Sequence, residues 1–161
     1  MKSSLLIGYG NPDREDDGLA WHVLSKLAGR FGQPIPLDYE LDFVDYHQSP
    51  DFQFLLQLTP EIADLVKNYQ RVCFVDAHTG NIHDDLRMTP LVGEYQSSPF
   101  THHLTPASCL AVCKSIYQVE PEAILVSVRG FQFGFHQSLS AQTSDLVDLA
   151  VQKIFEWLVS V

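Results

Sequence analysis

Four carboxylates, Asp13, Glu15, Asp16 and Asp17, fall within five residues of one another in the segment LLIGYGNPDREDDGLAWH at 5–22. An apolar run leads into Gly8-Tyr9-Gly10-Asn11 before them, and Gly18 and a helically periodic stretch follow. A glycine turn between strand and helix ordinarily cradles phosphate, because unpaired backbone N–H groups point at the anion. Carboxylates in that turn repel phosphate. They suit a metal cation or acid–base chemistry instead.

Two further segments carry groups that fit this chemistry. Asp76 closes the apolar run RVCFVD at 71–76, and Thr101-His102-His103 stands just before Thr105-Pro106. Two acids and a histidine from three loops make an O,O,N set, which suits a divalent metal with open positions for water or a peptide group. Each member also has a plain reading. Asp16 or Asp17 could cap the first helix, Asp76 could form a turn, and His102 or His103 could be an ordinary loop histidine. Only the joint pattern favours a site.

Other chemistries find little support. No serine lies in a G-x-S-x-G elbow, and no cysteine has a clear histidine base beside it. Gly8-x-Gly10 lacks the third glycine of a dinucleotide fingerprint, since Asp13 stands there. Cys73 sits in a buried-strand pattern and reads as inert, and Cys109 and Cys113 read as small buried hydrophobes. His22 reads as surface or satisfied core. His78 and His83 are read as solvated loop residues, with an outer-shell role as the alternative.

The elements that must position these groups follow from periodicity. Strands are expected over 4–9, 38–45, 71–76, 86–93 and 123–129, with Pro90 arguing against a central place for the fourth. Helices are expected over 17–31, over 52–68 with an interruption at Pro60 and a cap at Thr59, from Thr105-Pro106 to about Gln118, and over 140–158. Residues 77–85, 94–104 and the aromatic stretch Gly130–Gln137 read as loops. The alternation predicts an α/β fold, with a sheet sandwiched between helices. In such sheets ligands bind beyond the carboxyl ends of the strands, where all three motifs fall.

The bulk properties bound the rest. At 161 residues, with no repeat or linker, 1–161 reads as a single domain. A net charge of -10 argues against nucleic acid or an anionic membrane as partner. No stretch approaches the ~18 apolar residues of a membrane span. Three cysteines without framework spacing point to reduced thiols and a cytoplasmic setting.

Taken in order, GYGNPDREDDG, FVDAH, HHLTP before a helix and RGFQFGFHQSLS together resemble the hydrogenase maturation proteases. These endopeptidases trim the C-terminal tail of the [NiFe]-hydrogenase large subunit after nickel insertion. The resemblance implies a three-layer helix–sheet–helix fold with a central twisted, mostly parallel sheet. It implies nickel recognition by Asp17, which directly follows an Asp, by Asp76 at the strand end, and by His102, which stands two before Leu104. His103 is the competitor, one residue away. Asp16 is expected in a base or outer role beside Asp17, so that Asp17, Asp76 and Asp16 form the catalytic set. The nickel is expected to arrive with the large-subunit precursor rather than to reside in the protein. A nickel-dependent chaperone that holds the large subunit without cutting it is the alternative. Two departures stand out: Ala20 replaces a frequent glycine, and His136 is an extra histidine after Gly134.

Overall fold

The computed structural model of the protein describes residues 3–33, 50–95 and 104–160. Nine main elements follow one another: β1 (Ser4–Tyr9), α1 (Leu19–Arg30), β2 (Asp51–Leu55), α2 (Ile62–Val66), β3 (Arg71–His78), β4 (Leu86–Leu91), α3 (Pro106–Tyr117), β5 (Glu122–Arg129) and α4 (Ala141–Val159). The strands form one sheet in the order β2-β1-β3-β5-β4. All pairings are parallel except β4 with β5. The α/β architecture is therefore the expected one.

Side-chain alternation along the strands makes two cores. Leu6, Cys73, Val75, Val126 and Val128 face α1 and α4, where Val23, Leu24, Leu27 and Ile154 meet them. Leu5, Ile7, Val72, Phe74 and Ala123 face α2 and α3, where Ile62, Val66, Cys109 and Cys113 meet them. Both faces of the parallel strands are thus covered, which explains their near-continuous apolar runs.

Pro90 lies in β4, at the edge of the sheet, where a missing N–H costs least. Thr105 caps α3 by accepting from the Ser108 N–H at 3.1 Å, with Pro106 in the first turn. The thiols of Cys73, Cys109 and Cys113 are free and buried. Burial pushes the Cys109 thiol up to about 12 and raises the other two.

The expected helix over 52–68 is corrected. Its first part is β2, paired in parallel with β1 from Leu5↔Asp51 to Tyr9↔Leu55. Phe52 and Phe54 alternate with Asp51 and Gln53, so the segment has strand periodicity, and pairing with β1 decides it. The helical part shrinks to α2 after Pro60. The Thr59 carbonyl, rather than a cap at its hydroxyl, receives the Ile62 N–H. A second correction concerns β3, which continues through Ala77 and His78 instead of ending at Asp76. The expected strand over 38–45 lies outside the described residues.

Candidate active site

The carboxyl ends of β1 and β3 hold the first pair of groups. Gly8 pairs with Val75, so the next residues, Tyr9 and Asp76, stand side by side. The Tyr9 hydroxyl donates to Asp76 Oδ2 at 2.9 Å. Among the described residues, Asp76 Oδ1 is buried and takes no well-formed hydrogen bond, although the Ser127 hydroxyl on β5 lies close to the carboxylate. Burial raises the Asp76 carboxyl above the ordinary carboxylate range; the hydroxyls of Ser127, its register partner on β5, and of Tyr9 pull it partly back. The Tyr9 phenol is pushed well up by its own burial and by the Asp76 charge, which keeps it a donor.

Asp17 meets the same turn two residues further on. Its Oδ2 accepts from the Asn11 N–H at 2.9 Å. Between Tyr9 and Asn11, the Gly10 N–H bonds to the Leu55 carbonyl at 3.1 Å and ties the turn to β2. Gly10 has φ +141, and a Cβ there would collide with the Asp17 carbonyl. Only glycine lets the two segments approach this closely. One three-residue turn therefore holds both Asp17 and Asp76.

Neither Asp16 nor Asp17 caps α1. The helix begins after a short 3-10 turn, Glu15–Gly18, and its N-cap Gly18 has no side-chain bond. The other acids of the cluster instead dock the loop between β5 and α4. Asp16 is fully buried. It accepts from the backbone N–H groups of Phe131, Gln132 and Ser140 and from the hydroxyls of Ser140 and Thr143, at 2.7–2.9 Å. Burial alone would raise its carboxyl, but these bonds, led by the Ser140 hydroxyl, outweigh it and hold the group below its ordinary value. Glu15 accepts from the Gly134 N–H at 3.2 Å, and Asp13 accepts from the Gln137 amide at 2.9 Å.

Of the two roles expected for Asp16, this geometry suits the outer one. Its carboxylate faces five donors and no solvent, so it has no room to take a proton from water. It fastens RGFQFGFHQSLS to the acidic turn and so fixes the backbone from which Asp17 projects. His136 lies in this loop with its side chain exposed, and its carbonyl accepts the Glu15 N–H at 2.6 Å.

His102 and His103 lie outside the described residues. The chain resumes at Leu104, which packs against the α2–α3 core, the face on which Asp76 projects from β3. Among the described residues no three His, Cys, Asp or Glu side chains gather as a metal-ligand set. His78 differs from expectation. It is buried at 6 % exposure inside β3, two residues from Asp76 and on the same face, whereas His83 is exposed as expected. Burial lowers the pKa of His22, which is half-buried on α1.

No family model matches the sequence, and no curated protein sequence matches it. Solved structures do. The [NiFe] hydrogenase maturation protease HycI from Thermococcus kodakarensis superposes with a TM-score of 0.69 at 15% identity, over 99% of this chain and 94% of that one. This chain has the hydrogenase maturation protease fold. The hydrogenase maturating endopeptidase HybD from E. coli gives 0.65 at 17% identity, over 97% and 91% of the two chains. A hydrogenase 2 maturation peptidase from a Thaumarchaeota archaeon gives 0.60 at 20% identity, over 98% and 99%.

Within the maturation protease fold, three of the four sequence segments divide into two jobs. The GYGN turn and FVDAH present Tyr9, Asp17 and Asp76 at the carboxyl ends of β1 and β3. The late RGFQFGFHQSLS segment is a brace for the acidic turn. Tyr9 was missed in the sequence because it reads as one more strand aromatic. Its signal is positional: it ends β1 in register with the acid that ends the neighbouring strand.

Proposed function

We propose that this protein is an endopeptidase that removes the C-terminal extension of a [NiFe]-hydrogenase large-subunit precursor once nickel has been inserted. The nickel is part of the substrate, and Asp17, Asp76 and His102 complete its coordination. The observation that carries this reading is the Asp76 carboxylate. One oxygen is anchored by Tyr9, while the other is buried and, among the described residues, has no partner. A buried carboxylate oxygen left unpaired is costly and suits a cation.

The donor types fit. Carboxylate oxygens and an imidazole nitrogen match a borderline divalent metal such as nickel. Leu104 packs on the Asp76 face of the sheet, and the family resemblance selects the histidine two positions before it. That supports His102 over His103 as the nitrogen ligand.

The chemistry is hydrolysis of one peptide bond. Docked nickel positions the tail junction beside Asp76. A water adds to the scissile carbonyl carbon, the C–N bond breaks, and the leaving nitrogen takes a proton. Asp76, beside the scissile bond, accepts the water's proton and passes it to the leaving nitrogen. Asp17 holds the metal, and the Gly10 turn lets backbone approach the peptide closely. Free thiols fit action in the cytoplasm.

Incubation of the protein with nickel-loaded and nickel-free precursor tests the proposal. Shortening of the loaded precursor alone is the expected result. Tight binding of the loaded form without shortening means a holding protein instead.

A further inference from the structure

β3 extends two residues past Asp76. Because the strand runs on through VDAH, His78 shares the face of Asp76. Its Nδ1 accepts from the Gly80 N–H at 3.1 Å. A ring nitrogen that accepts carries no proton, so the neutral imidazole bears its hydrogen on Nε2. Among the described residues, that Nε2–H is buried and has no partner. Asp76, whose Oδ1 is also buried and unpartnered among the described residues, stands two residues back on the same strand face.

A buried donor without an acceptor costs about 1–3 kcal/mol, and folded proteins seldom keep one without a use for it. Metal ligation does not supply that use. To bind a cation through Nε2 the ring would have to carry its proton on Nδ1, facing the Gly80 N–H. The atom is therefore a fixed donor. What it lacks is an oxygen acceptor, delivered next to a carboxylate.

We infer that His78 is a further catalytic residue, whose Nε2–H donates to the carbonyl oxygen of the scissile peptide. The inference rests on the endopeptidase reading of the site. Water attack turns that oxygen into an oxyanion, so the bond strengthens as the reaction proceeds and favours the transition state over the bound substrate. His78 keeps its proton throughout. The water's proton goes to the neighbouring carboxylate and then to the leaving nitrogen.

Single-turnover cleavage of nickel-loaded precursor by the wild type, His78→Ala and His78→Gln provides the test, with precursor affinity and thermal melting measured alongside. For the alanine variant, the cleavage rate should fall on the order of 100- to 1,000-fold, the usual cost of losing one oxyanion donor. Affinity for the precursor should hold within about threefold, since the bond matters little before attack. Glutamine can offer an N–H in a similar place and should recover much of the rate. An alanine variant that cuts at the wild-type rate overturns the inference and leaves the proposed function intact. Equal loss in both variants, with native melting, also overturns it, because a donor would then not be what matters. A wild-type protein that never cuts the loaded precursor overturns the proposed function, and this inference with it.

Discussion

Tyr9 and Asp76 close the ends of two neighbouring parallel strands, and the phenol of one donates to Oδ2 of the other at 2.9 Å. The bond leaves the carboxylate with one anchored oxygen and one that is unpaired among the described residues. In Tyr9→Phe the ring still packs, but the carboxylate loses a charge-assisted donor worth about 1.5–3 kcal/mol. Asp76 should then be harder to ionise, and the acid limb of the processing rate should move to higher pH. A pH–rate profile of the variant checks this; an unmoved acid limb would show that Asp76 ionisation does not control the rate.

Asp76 also makes a signed prediction for stability. Its folded-state pKa is raised, so between the ordinary carboxylate value of about 4 and the raised value the folded chain binds more protons than the unfolded one. The contribution of Asp76 to stability should therefore fall as pH rises through that window. Asp76→Asn should remove this dependence and, near neutral pH, melt no lower than the wild type. Urea titrations of both proteins across the window measure it.

Asp16 carries the opposite sign. Its pKa is lowered by hydrogen bonds to the charged form, so its contribution is complete above the unfolded value and is lost as pH falls through the folded one. In Asp16→Asn an amide NH2 meets donors from Phe131, Gln132, Ser140 and Thr143. A loss of about 3 kcal/mol or more is expected. Asp17→Asn should behave differently, because its amide oxygen can still accept from Asn11. It should melt near the wild type and lose nickel-dependent processing. Thermal melts of the pair, read beside a processing assay, separate the brace from the ligand.

The histidine segment offers a test of register. If His102 ligates nickel, its imidazole must be neutral, so affinity should weaken below about pH 6.5. His102→Ala should remove most of the affinity together with this pH dependence, while His103→Ala should spare both. Calorimetric nickel titrations decide it. A larger loss in His103→Ala would put the register off by one.

The α/β alternation was legible in the sequence because the strands are buried on both faces and read as apolar runs closed by glycines and acids. Asp17 and Asp76 were legible as polar groups at strand ends. Three features were not. β2 at Asp51–Leu55 holds a segment that also fits a helix, and only pairing with β1 chooses between them. Asp16 and Asp17 look alike in sequence, and their division of labour depends on the distant Ser140 and Thr143, which reach only one of them. His78 looked like the start of a polar loop, because its strand pairing with Arg129 is a tertiary contact.

Intact-mass measurement of nickel-loaded large-subunit precursor after incubation with this protein tests the central claim most directly. The account predicts that the precursor splits into a shortened subunit and one released C-terminal peptide. It also predicts that the split disappears with nickel-free precursor and with Asp76→Asn. A precursor that stays whole in a stable complex, or is shortened equally well without nickel, would contradict it.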